Sequence, residues 1–241
     1  AINKVRGSMI FEFFSPGIPH ILKNSGCEFV IFDMEHSGLT FDKFKELSII
    51  CRNINLFPLI RIPQLSYNYI SRSLDLGAYG IMIPMVSNTK EVKNIVNFSK
   101  YPPLGKRGAG FGFAHNDFKK QNPEMIIKSA NDNLINIIQI ENKNGLENVE
   151  EIAKIRGVDC LWVGHFDLSN FLNVPGQFNS KIYLDAINKI ISAAKNNKKS
   201  LGIMVSSKKE MIFYSKMGFN IIAVGTEMSL LTDSILNILN N

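Results

Sequence analysis

The chain has 241 residues, 45% of them hydrophobic and 20% charged, with a formal net charge of +6. That is enough apolar material for one large core, and no stretch of about 18 apolar residues offers itself as a membrane span. The basic excess is scattered among acids, and its densest run, 195–199, holds two Asn, so it reads as a solvated helix end and not as a nucleic-acid or membrane patch.

Short β-rich apolar runs fall at 8–14, 29–33, 57–62, 80–85, 135–141, 160–166, 201–205 and 221–225. They are nearly continuous in apolar residues, as parallel strands covered on both faces are. Amphipathic segments at 18–25, 41–53, 67–76, 89–100, 123–131, 145–155, 181–196 and 208–217 alternate with them, and a last helix is expected at 227–239. Gly26, Gly77 and Gly218 sit just past helix ends, and Thr40 and Ser207 stand where N-caps belong. Eight strand–helix units predict an α/β chain of one domain over 1–241: a single (β/α)8 TIM barrel with an extra C-terminal helix. The connection 101–122, YPPLGKRGAGFGFAHNDFKKQN, is long and rich in Gly, aromatics and charge. It follows the fourth strand, and part of it is expected to reach the catalytic face.

Three cysteines, Cys27, Cys51 and Cys160, give an odd count without CxxC spacing. That argues against a disulfide framework and for a reducing compartment. Residues 1–4 carry no apolar signal-peptide core, and a cytoplasmic location is expected.

A parallel barrel carries its active site at the C-terminal ends of its strands. There this sequence places Asp33, Glu35 and His36 after strand two, Arg61 on strand three, Gln139 and Glu141 on strand five, and His165 and Asp167 after strand six. Two-residue alternation points Gln139 and Glu141 to the same side. Glu141 and Asp167 come from adjacent strands, and two carboxylates brought close repel unless they share a proton or a cation. A hard divalent ion fits such acids, whereas a closed zinc site lacks Cys and His ligands. The alternative is that both acids pair with Arg61 in a structural network. Asp33, three residues before His36, is expected to hold its imidazole in one tautomer. Arg61 either pairs with Asp33 or Glu35 or grips a substrate oxyanion. No strand end carries Lys, the buried amine that Schiff-base chemistry needs there, so a barrel carbon–carbon lyase with this mouth should use a metal as electron sink instead.

The segments FVIFDMEHSG, PLIRIP, SLDLGAYGIMIPMVSNTKEV, YPPLGKRG, IIQIENKNGLENVEEIAKIRGVDCLWVG, DLSNFLNVPGQF and MGFNIIAVGTE, in this order, resemble the HpcH/HpaI aldolase family over nearly the whole chain. The resemblance implies class II pyruvate chemistry with Mg2+ or Mn2+, Co2+ being admissible, and a homo-oligomer, usually a hexamer that exchanges its final helix. It implies that Glu141 and Asp167 bind the metal, that Gln139 lies beside it, and that Arg61 contacts the keto oxygen. It makes His36 with Asp33 the acid–base dyad and brings Asp75 to a neighbouring subunit's dyad. The backbone of Gly164, His165, Phe166 and Asp167 matches the segment that grips the ketoacid carboxylate. Here His165-Phe166 departs from the family's usual Pro and small residue, which narrows the pocket or adds a ligand or base.

The expected reaction is retro-aldol cleavage of a 4-hydroxy-2-ketoacid to pyruvate and an aldehyde, with small-molecule partners and neither nucleic acid nor membrane. Competing readings are a citrate- or malyl-lyase-like enzyme acting on an acyl-coenzyme A thioester, and a barrel that binds a ketoacid without turnover. A phosphate site at Gly225-Thr226-Glu227 is a weaker one, because Glu227 opposes an anion.

Overall fold

The computed structural model describes residues 4–240. Eight parallel strands close into a barrel in chain order. They are β1 (Val5–Ile10), β2 (Phe29–Asp33), β3 (Phe57–Arg61), β4 (Gly80–Ile83), β5 (Ile135–Ile140), β6 (Cys160–Val163), β7 (Ser200–Val205) and β8 (Ile221–Thr226). Around them run α1 (Ile18–Asn24), α2 (Phe41–Asn53), α3 (Tyr67–Asp75), α4 (Thr89–Ser99), α5 (Pro123–Asn133), α6 (Lys143–Glu147), α7 (Val149–Lys154), α8 (His165–Phe171), α9 (Lys181–Asn196), α10 (Lys208–Met217) and α11 (Glu227–Leu239). The caps expected at Thr40 and Ser207 are formed, each side chain accepting from the amide three residues on.

Strand alternation sorts the core into two layers. Met9, Phe29, Ile31, Leu59, Met82, Ile137, Cys160, Trp162 and Ala223 fill the barrel interior. Their neighbours Ile10, Val30, Phe32, Ile60, Ile81, Ile138 and Leu161 point outward into the layer shared with the helices. The inward series sets up the site: Phe29-x-Ile31 leads to Asp33, Leu59 to Arg61, and Ile137 to Gln139. Trp162 needs Gly202 on the adjacent strand, where a Cβ would collide with the indole.

Several boundaries differ from the sequence expectation. The first strand is not 8–14 but Val5–Ile10, because the amides of Phe11, Glu12 and Phe13 leave the ladder for the carboxylate of Glu227. The sixth strand stops at Val163, and α8 occupies what reads as its end. The helix expected at 145–155 is two helices that share Asn148 as their cap; the first is started early by Asn142, whose side chain accepts from the Gly145 amide.

The 101–122 connection, expected in part at the catalytic face, supplies no residue to the lining of the cavity at the strand C-termini. It joins α4 to α5, and its 114–117 turn lies against the starts of the strands. There Arg52 reaches the Gly77 and His115 carbonyls and pairs with Asp117 at 2.8 Å. The three cysteines are free, Cys51 and Cys160 being buried. Among the described residues no helix is long and apolar enough to cross a membrane.

Candidate active site

Asp33 ends β2 fully buried. Its carboxylate accepts from Arg61 Nε at 2.5 Å, from the His36 amide at 2.7 Å and from the Glu35 amide at 3.3 Å. It therefore caps the turn after β2 and neutralises the guanidinium. It does not meet the imidazole, contrary to the expected Asp33–His36 pairing. The imidazole faces Glu35 instead, with Nε2 3.6 Å from Oε2, and stands 61% exposed at the mouth. The reason is register: Asp33 points inward at the last strand position, while the chain has already turned by His36.

Arg61 is buried and holds a second acid, its NH1 lying 3.1 Å from Glu35 Oε2. The Phe11 ring covers the guanidinium, with Arg61 Cζ 5.4 Å from the ring centroid. Glu35 titrates at about 7, raised chiefly by burial; Asp33 and Asp167 push the same way and Arg61 opposes them.

Gln139 and Glu141 share one side of the β5 end, as alternation requires, and the Gln139 amide donates to Glu141 Oε2. Glu141 Oε1 accepts from the Met85 amide at 2.6 Å. Met85 adopts a left-handed conformation, φ 57°, which a non-glycine residue takes only when its surroundings impose it. Burial raises the Glu141 carboxyl above its ordinary range, and the nearby Glu35 and Asp167 charges add to it. Gly164 has to be glycine, since a Cβ there would run into the Glu141 carboxylate.

Asp167, in the first turn of α8, lines the cavity at the strand C-termini together with His36, Arg61, Gln139 and residues 164–166. This cavity holds about 330 Å3, and its walls are largely apolar: Met9, Phe11, Trp162, Phe166 and Met204. His165 packs against Phe166, tilted at 4.3 Å, and edge-on against Phe178 at 5.3 Å. Burial lowers its imidazole to about 4, against the pull of Glu210 and Asp167. Its ring forms part of the cavity wall beside Phe166.

Four carboxylates, Asp33, Glu35, Glu141 and Asp167, thus gather at one mouth, and the one guanidinium there is engaged by Asp33 and Glu35. Among the described residues Glu141 and Asp167 meet no cation of the chain, and the buried Gln139 Oε1 has no hydrogen-bond partner. Such an all-oxygen donor set fits a hard dication that keeps positions open for substrate. No group of three His, Cys, Asp or Glu among the described residues is placed to hold an ion without other ligands.

The family model for HpcH/HpaI aldolase/citrate lyase matches residues 9–234. The chain belongs to this family. It is similar to a hydroxypyruvate/pyruvate aldolase of Delftia acidovorans, 29% identical over 93% of this chain and 83% of that protein. A 5-keto-4-deoxy-D-glucarate aldolase of an Enterobacter species is 30% identical over 89% of this chain and 83% of its own length. The crystal structure of an HpcH/HpaI aldolase from Desulfitobacterium hafniense superposes with a TM-score of 0.95 at 29% identity, covering 99% of this chain and 92% of that one. This member of the HpcH/HpaI family is accordingly an enzyme of the aldolase type.

Asp33, Glu35, His36, Arg61, Gln139, Glu141, Gly164, His165, Phe166 and Asp167 are brought to one mouth. Asp75 is not. It ends α3, at the opposite end of the barrel from the strand C-termini, where Arg107 pairs with it at 2.5 Å. Sequence reasoning gave Glu35 no role of its own and did not single out the Met85 amide, Phe11 or Trp162. Trp162 had a signal, two residues after the inward Cys160 on the same face. The Met85 amide had none, since a backbone donor leaves no mark in the sequence.

Proposed function

We propose that this chain is a divalent-metal-dependent, class II pyruvate aldolase that cleaves a 4-hydroxy-2-ketoacid to pyruvate and an aldehyde, and runs the reverse addition. The observation that carries the reading is the pair Glu141 and Asp167, without a cation of their own, beside the buried guanidinium of Arg61.

Glu141 and Asp167 would hold Mg2+ or Mn2+, with Gln139 alongside; the bound ion would supply Lewis-acid polarisation of the ketoacid. The backbone of residues 164–167 takes the ketoacid carboxylate, and the first-turn amides of α8 have no helical carbonyl to bond. Arg61 faces the keto oxygen and stabilises the charge that grows there as the C3–C4 bond breaks. His36, exposed at the mouth and backed by Glu35, takes the proton from the C4 hydroxyl. The apolar walls exclude water while C3 carries negative charge, and a proton delivered to C3 completes pyruvate.

The acyl-coenzyme A alternative needs a basic groove for the nucleotide, and Arg61 is the one Lys or Arg lining this mouth among the described residues. Homo-oligomerisation belongs to the same proposal. On α11, Leu231, Ile235, Leu236, Ile238 and Leu239 are all exposed and no residue of the helix is buried, a face suited to a second copy of the chain.

The test is deuterium exchange at the pyruvate methyl group, with and without Mg2+ or Mn2+. Metal-dependent exchange is expected, lost in Glu141→Ala. Exchange that survives exhaustive chelation overturns the metal role.

A further inference from the structure

The C-terminal ends of β1 and β8 meet in an arrangement that the proposed chemistry does not use. Glu227, the first residue of α11, turns its carboxylate back onto the chain leaving β1. Its Oε1 accepts three consecutive amides, from Phe11 at 2.9 Å, Glu12 at 2.5 Å and Phe13 at 3.1 Å. Three convergent amides on one charged oxygen are a strong, charge-assisted clamp. The neighbouring backbone is irregular: the β1–β8 register shifts between Gly7 and Met9, Gly225 has φ +60°, and Ser8 Oγ donates to the Val224 and Gly225 carbonyls. Without Glu227 those three amides would have no partner on the chain, because the ladder has ended.

The clamped segment carries Phe11. That ring lines the mouth cavity and lies over the Arg61 guanidinium, whose nitrogens are held by Asp33 and Glu35. A guanidinium covered by a ring and held by two carboxylates is fixed in orientation and shielded from water, which strengthens its action on a developing oxyanion.

We propose that Glu227 is a positioning residue for the reaction: by clamping the amides of Phe11–Phe13 it holds the Phe11 ring over Arg61 and fixes the guanidinium toward the ketoacid. The inference rests on the ketoacid reading of the mouth. It also makes the first turn of α11, a helix with no buried residue, a direct support of the active site.

The experiment compares the full-length wild type with Glu227→Gln, Phe11→Leu and the double variant, all saturated with Mg2+. Glu227→Gln keeps the shape and removes the charge. Two readouts are taken: hydrogen exchange of the Phe11–Phe13 amides, and kcat and KM for pyruvate methyl deuterium exchange. Faster amide exchange at those three positions is expected in Glu227→Gln. With it kcat should fall on the order of ten-fold, the cost of a modest misplacement. The Mg2+ concentration for half-maximal rate should not move, because Glu141 and Asp167 are untouched. Phe11→Leu should lower kcat similarly, and the double variant should be no worse than the poorer single one, since both act through one ring. A purely structural Glu227 would lower the melting temperature while kcat stayed put, and that result overturns the inference; so do fully additive losses. If the wild type itself enolises no pyruvate, the ketoacid reading fails. Amide exchange together with the 15Nε signal of Arg61 then still decides the clamp, an unchanged pair of signals in Glu227→Gln refuting it.

Discussion

Replacing Asp33 by Asn separates the role the geometry gives this residue from that of a partner to the imidazole. The carboxylate is fully buried and carries the shortest ion pair to Arg61, itself 7% exposed. Removing one partner of a buried pair costs about 3–5 kcal/mol, because the other charge is left behind. Glu35 stays 3.1 Å from the guanidinium and offsets part of that. The Asn amide, however, would point N–H groups at the His36 amide, or at Arg61 if flipped, so one donor loses its acceptor at about 1–3 kcal/mol. A net loss of about 3 kcal/mol is expected, which for a domain of this size lowers Tm by about 6–12 °C. His36→Asn is the control. With its side chain 61% exposed it should leave stability within about 0.5 kcal/mol, yet cut retro-aldol turnover about 10²- to 10⁴-fold. Urea melts and calorimetry, beside the rate of pyruvate release from a 4-hydroxy-2-ketoacid, read both quantities. The reasoning is refuted by an Asp33→Asn enzyme that melts within a degree or two of the wild type and loses as much activity as His36→Asn. Asp33 would then be acting on the imidazole directly.

Glu35, held near 7 in the folded chain against 4.5 for the ordinary carboxyl, keeps a proton that the unfolded chain gives up. Its contribution to stability must therefore decline as pH rises from 4.5 through about 7 and then level off. In chelator, Glu35→Gln should gain on the wild type in urea midpoint between pH 5 and pH 8; a constant difference would remove Glu35 as the cause. His165, lowered to about 4 by burial, is uncharged throughout that window. His165→Phe should leave the shape of the pH–rate profile between 5 and 8 intact, and a shifted limb would make it an acid–base group. Gly164→Ala drives a methyl into the Glu141 carboxylate, so the metal activation constant should rise at least ten-fold with the barrel still folded, as metal titrations followed by circular dichroism would report. Leu231→Asp with Ile235→Asp on the open face of α11 should lower the mass measured by light scattering, and an unchanged mass would show that this face joins no copies.

What the sequence determined by itself is the part written in local periodicity. Eight apolar runs alternating with amphipathic helices specify a closed parallel barrel, since buried strands and one-faced helices leave few other packings. Alternation within a strand put Gln139 beside Glu141, and strand ends gathered Arg61 and Asp167 at one mouth. The tertiary structure alone decided which group each of these touches. Asp33 reaches a backbone amide and not the imidazole, and Glu35 stands between His36 and Arg61. Strand one ends early because a carboxylate from the far end of the chain captures its amides, a contact across 216 residues between Phe11 and Glu227. The 114–117 turn of the long loop lies at the strand starts because α4 carries the chain there first. Such choices depend on side-chain rotamers and backbone donors meeting in space, and neither has a period that a linear sequence can display.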